Sequence, residues 1–174
     1  MSHEAALSFV VNGRKVTRTG GVHLSLLRWL RDLAGVTDPK YGCGEGVCGA
    51  CTVLVDGKPV SSCIVLAAQV EGAAIVTASG LCESDGALSV LQRAFYECHA
   101  AQCGFCTPGM IVAASALLAA GGRPSRGEIR QALHGNLCRC TGYGPILDAV
   151  ERALDEGAHD EGVREAAPAK GRGA

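Results

Sequence analysis

The sequence predicts an α+β protein in two parts: a small unit of hairpins with one helix, then a helical unit. Two patterns carry this expectation. Up to residue 78, short apolar runs are joined by Asn12-Gly13 and Asp56-Gly57, dipeptides that favour tight hairpin turns. From residue 88 onward, apolar residues recur at three- and four-residue spacing between helix-start and helix-stop signals. Composition agrees. Of 174 residues, 48% are hydrophobic but only 4% aromatic, and 24 are glycine, which suits tight loops and closely packed helices.

Taken in order, Ala6–Val11 reads as a strand, Asn12-Gly13 as its turn, and Arg14–Thr19 as the returning strand. Leu24, Leu27, Leu30 and Leu33, with Leu26 beside them, predict a helix face that opens at His23 or Ser25 and closes by Gly35. Trp29 is assigned to packing. Thr52–Val55 reads as a short apolar strand, followed by a turn at Asp56-Gly57, a strand over 59–62 and a last one over 73–77. A small polar connector over 78–86 marks the boundary between the two parts. Leu88, Leu91, Phe95 and Cys98 then share a helical face. Thr107 as N-cap with Pro108 behind it predicts a second helix, lined by Ile111, Ala114, Leu117 and Leu118 and stopped by Gly121-Gly122. Ser125-x-x-Glu128 is a capping box for a third helix, running through Leu133. Gly144-Pro145 opens a fourth, with Ile146, Leu147, Val150, Ala153 and Leu154 as its stripe. Four short helices on short loops read as a small bundle. From Gly157 the chain is polar and without period, and is expected to be flexible or to drape over a partner.

Ten cysteines ask for chemistry. Residues 41–52 read Y-G-C-G-E-G-V-C-G-A-C-T, placing Cys43, Cys48 and Cys51 at C-x4-C-x2-C among glycines, with Cys63 downstream. That is the plant-type 2Fe–2S spacing. Glycines there let backbone N–H groups approach the sulfurs of such a group. A second set comprises Cys103 and Cys106, in Q-C-G-F-C-T-P-G-M just ahead of a helix start, and Cys138 and Cys140, in G-N-L-C-R-C-T-G-Y. A helix N-terminus stabilises thiolates, the form that binds iron. For this set a thioredoxin-like thiol pair and a structural zinc site stand as alternatives to iron–sulfur. A secreted disulfide scaffold is opposed by the one-residue gap between Cys138 and Cys140, by an N-terminus that does not read as a signal peptide, and by a length that can bury a core without staples. Cys98 reads as a small core residue and Cys82 as a connector residue. His99 and His134 are assigned to helices without a ligand role.

No apolar run approaches the length of a membrane span. A net charge of −1 and a pI near 6.5 do not recommend nucleic acid as a partner. No G-x-G-x-x-G or Walker lysine is present, and no nucleophile stands beside a base. An electron relay is the function these observations leave. A free carrier ferredoxin and a zinc-stabilised adaptor are the alternatives.

Both cysteine sets together resemble the iron–sulfur subunit of the molybdenum hydroxylases, the family of xanthine dehydrogenase, aldehyde oxidase and molybdenum carbon monoxide dehydrogenase. The resemblance covers roughly residues 5 to 156. It departs at Thr37-Asp38-Pro39-Lys40, where glycine is expected in place of Asp38. It implies a β-grasp, ferredoxin-like 2Fe–2S domain over 5–78, a four-helix-bundle 2Fe–2S domain over 79–156 and a tail over 157–174. It implies one 2Fe–2S group on Cys43, Cys48, Cys51 and Cys63, and another on Cys103, Cys106, Cys138 and Cys140. The second would lie nearest the molybdenum–pterin cofactor of a large subunit, with Gln102 and Cys140 against the pterin. An FAD-carrying medium subunit would receive the electrons. A cytoplasmic heterotrimer, or a dimer of heterotrimers, is the assembly implied.

Overall fold

The computed structural model describes residues 5–158. The first strands, β1 (Ala6–Val11) and β2 (Arg14–Thr19), form an antiparallel hairpin in register from Ala6–Thr19 to Val11–Arg14. Its turn residues, Asn12 and Gly13, both have positive φ, at 48° and 76°, as a two-residue hairpin turn of this hand requires. β3 (Thr52–Val55) and β4 (Lys58–Ser61) repeat the design around Asp56-Gly57. β5 (Ala74–Val76) runs between the hairpins, parallel to β1 and antiparallel to β3, so the strand order is β2-β1-β5-β3-β4.

The leucine helix differs from its expected register. α1 (Leu26–Arg28) is capped by Ser25, whose hydroxyl accepts from Arg28 N–H, and it widens into a π-helical turn over Trp29–Leu33. The fully buried residues are Leu26, Leu27, Trp29 and Leu30, whereas Leu24 and Leu33 lie at the rim. The packing partner decides this. Trp29 meets Phe9 of the sheet edge-on, ring centroids 4.6 Å apart, and the helix turns to keep that aromatic inside.

The helical part comprises α2 (Val90–Glu97), α3 (Thr107–Ala119), α4 (Arg126–Ala132) and α5 (Gly144–Asp155). α2 packs on α5 and α3, and α4 packs on α3 and α5. α3 is not one-sided as its stripe implied: every residue from Gly109 to Ser115 is buried, and so is Leu118. It is apolar all round because it is covered all round, lying also on β3 and β4. Leu54 and Val76 of the sheet accordingly belong to the same apolar core as Met110, Val112 and Ile146. The connector contributes a 3₁₀ turn, Ala78–Leu81, with Leu81 buried in that core.

The cap signals mostly hold. Ser125 and Glu128 form the capping box, with Ser125 N–H donating to Glu128 Oε2 at 2.7 Å. Gly121 and Gly122 end α3 with positive φ. Cys106 rather than Thr107 is the N-cap of α3. A second capping box, Ser89 with Gln92, opens α2. His99 and His134 stand just past the ends of α2 and α4. Most of the tail, from residue 159, lies outside the described residues.

Candidate metal centres

Both cysteine loops lie on the side of the molecule where the sheet meets the N-terminus of α3. In the first, Cys43 Sγ accepts from Glu45 N–H at 3.4 Å. That bond leads a group of backbone N–H contacts, including those of Cys48 and Val47, that lower the Cys43 thiol from 9.0 to about 6. Cys63 moves the other way. Burial, then the neighbouring Cys51, pushes it up to about 11. Cys51 is buried, and Ser62 behind it donates its hydroxyl to Cys51 O at 2.6 Å.

In the second set, Cys103 and Cys140 are exposed and their sulfurs lie 3.6 Å apart. Cys106 and Cys138 sit deeper. Burial, followed by the Cys138 sulfur, pushes the Cys106 thiol up to about 12. Burial also pushes Cys138 up, but hydrogen bonds from Thr141 Oγ1 at 3.1 Å and Thr141 N at 3.5 Å outweigh it, and the thiol lies below its ordinary value. Tyr143 fixes this loop. Its φ is +69°, its N–H donates to Thr141 Oγ1 at 3.2 Å, and its phenolic oxygen accepts from Cys138 N–H at 2.9 Å. Such backbone strain at a non-glycine residue persists only where surroundings enforce it.

The thiols therefore meet in pairs: Cys43 with Cys48, Cys51 with Cys63, Cys103 with Cys140, Cys106 with Cys138. Among the described residues, no three donors converge as a single metal ion requires. A 2Fe–2S group takes four thiolates over two irons, and two adjacent pairs are the donor set it needs. Thr107 Oγ1, next to Cys106, is buried with no partner among the described residues, a donor left over for sulfur. The residues fit the group.

Cys82 and Cys98 are half-buried and outside both sets. Cys98 packs against the helical core. Cys82→Ala and Cys98→Ala should retain the paramagnetic signals of both 2Fe–2S groups, with Cys98→Ala costing roughly 1 kcal/mol of stability in a denaturant titration. A signal lost in either variant would show that the spare thiols are ligands.

Family models match along the chain in two stretches: a 2Fe-2S iron-sulfur cluster binding domain over residues 9–82 and a 2Fe-2S binding domain over 77–151. The nicotine 6-hydroxylase small subunit of Paenarthrobacter nicotinovorans is 49% identical over 149 residues, covering 86% of this chain and 89% of the relative. The chain belongs to the iron–sulfur subunits of the molybdenum hydroxylase family. It is accordingly an oxidoreductase subunit with an electron-transfer role and two 2Fe–2S binding domains. The nicotinate dehydrogenase small FeS subunit of Eubacterium barkeri is 51% identical over 130 residues, covering 75% of this chain and 82% of the relative. Quinoline 2-oxidoreductase from Pseudomonas putida 86 contains a chain that superposes with a TM-score of 0.82 at 43% identity, covering 95% of this chain and 97% of that one. No helix among the described residues is long and apolar enough to cross a membrane.

Gln102 is exposed, and its amide has no hydrogen-bond partner among the described residues. Sequence reasoning missed Asn136, Thr141 and Tyr143. Their signal was present in G-N-L-C-R-C-T-G-Y, where polar residues interleave with the cysteines.

Proposed function

We propose that this chain relays single electrons from a molybdenum–pterin centre in a large subunit to FAD in a medium subunit. Cys103, Cys106, Cys138 and Cys140 would hold the 2Fe–2S group nearer the pterin. Cys43, Cys48, Cys51 and Cys63 would hold the one nearer the flavin. When bound, each group takes up one electron and gives it back. One observation carries the reading: Leu137 N–H donates to Cys48 O at 2.9 Å, so the two sets are one hydrogen bond and a few covalent bonds apart.

The chain's own residues hold charge on sulfur. Glu45 N–H and the Thr141 hydroxyl donate to thiolate sulfur, which favours the more negative, reduced state. Exposed apolar residues surround both loops: Tyr41, Val47 and Ile64 at the first, Phe105 and Leu137 at the second. Such a rim suits permanent subunits better than a carrier that docks briefly. Gln102 and Cys140 would contact the pterin, and the free amide of Gln102 supports this, since nothing in its own loop employs it.

In this reading residues 5–78 are a β-grasp domain and 79–156 a four-helix bundle, while the tail expected over 157–174 lies mostly outside the described residues. The assembly is a cytoplasmic heterotrimer or a dimer of heterotrimers. Relatives named for nicotine, nicotinate and quinoline favour a nitrogen heterocycle as substrate of the whole enzyme. Rapid reduction by substrate tests the order. In Gln102→Ala, electrons should reach the Cys43 set more slowly while reoxidation through flavin is unchanged. If disrupting the Cys43 loop instead blocks reduction at the Cys103 set, the order is reversed.

A further inference from the structure

The loop between α4 and α5 reaches the first cysteine loop, and one side chain makes the crossing. Asn136 is 5% exposed. Its Nδ2 donates to Gly49 O at 2.9 Å and to Thr52 Oγ1 at 3.2 Å. Thr52 Oγ1 in turn donates to Gly49 O at 2.7 Å, closing a triangle around one carbonyl. The surfaces meet without spare room. A Cβ on Gly49 would lie 2.4 Å from Gly135 O and 2.5 Å from Asn136 Nδ2. The neighbouring residues carry the contact already described, Leu137 N–H to Cys48 O.

We propose that Asn136 is a positioning residue that clamps the Cys138 loop onto the Cys48 loop, fixing the contact across which electrons pass between the two cysteine sets. The inference rests on the electron-relay reading. A buried amide bonded across 87 residues of sequence acts as a cross-link. Tunnelling falls steeply with distance, so a loosened junction slows transfer even when both sets keep their iron. An aspartate has nearly the same shape but no N–H, and would press oxygen against the Gly49 carbonyl. That makes Asn136→Asp the sharpest variant.

The test uses the assembled complex. Amide hydrogen exchange at Leu137 should accelerate on the order of tenfold in Asn136→Asp, the factor a lost hydrogen bond of ordinary net strength makes, while amides within α3 are unchanged. In the reduced complex, the magnetic splitting between the two 2Fe–2S signals should shrink and broaden while each signal keeps its own g values. Thr52→Val, which leaves Asn136 one acceptor, should move both readouts less and in the same direction. Thr52→Ser should behave as the unmodified protein. Unchanged Leu137 exchange with unchanged splitting overturns the proposal. So does loss of one signal without faster exchange at Leu137, which would make Asn136 part of one binding loop rather than the junction. If Asn136→Asp does not fold, Thr52→Val decides by the same criteria. An unmodified complex without iron would defeat the relay reading, and exchange at Leu137 would then decide the clamp alone.

Discussion

Cys106→Ala should halve the iron of the fully loaded chain. Two irons in each of two 2Fe–2S binding domains make four, and the variant should retain two. The pair formed by Cys106 and Cys138 then has one thiolate, and the exposed pair of Cys103 and Cys140 cannot hold a two-iron group alone. The signal of the Cys43 set should survive, because all four of its thiols lie outside the helices. The Cys106 thiol, held up to about 12 by burial, is protonated at neutral pH when metal-free. Iron must displace that proton, so loading of this set should weaken as pH falls. Cys43, already lowered to about 6, is a thiolate at neutral pH, but Cys63 of the same set, pushed up to about 11, must lose its proton as Cys106 does, so the first set shares this dependence. Iron analysis and paramagnetic spectra check both statements. Retention of all four irons in Cys106→Ala would remove this cysteine from the ligand set, and zinc in place of iron would refute the centre as described.

Gly109→Ala should destabilise the protein by about 1–3 kcal/mol, although intrinsic helix preference predicts the opposite sign. Gly109 is in the first turn of α3, and alanine is the better helix former, by about 1 kcal/mol over glycine in a helix interior. The tertiary contact overrules that preference. An added Cβ would lie 2.2 Å from Gly49 O and 3.2 Å from Asn136 Nδ2. The first obstacle is backbone that cannot swing aside, and that carbonyl already accepts from Asn136 and Thr52. Denaturant unfolding gives the sign directly. A stabilised Gly109→Ala would mean that the junction has slack and that the close approach is incidental.

The sequence made most local structure legible because the signals were local. Asn12-Gly13, Asp56-Gly57, Ser125-x-x-Glu128 and Gly121-Gly122 each act within a few residues, and each forms the turn or cap expected. Ser89-x-x-Gln92 carries the same kind of local signal and forms a capping box too. The cysteine sets were legible as spacing, but their arrangement in pairs was not, since Cys103 and Cys140 are brought together only by the packed helices. Nor could periodicity show that α3 is enclosed on every side, because Ile111, Ala114, Leu117 and Leu118 make a plausible stripe by themselves. The widened turn at Trp29–Leu33 and the crossing by Asn136 depend on partners far away in sequence, Phe9 in one case and Gly49 in the other.

The position of α3 bears on how the protein comes apart. Its side chains share a core with Leu54 and Val76, so the sheet and the helices are not beads on a string. A fragment beginning at residue 79 would strip that helix of its cover from β3 and β4 and bare an apolar face. Heat or denaturant should accordingly melt both halves together in one cooperative step. Iron lost from either loop should then be felt as a lower melting temperature for the whole molecule.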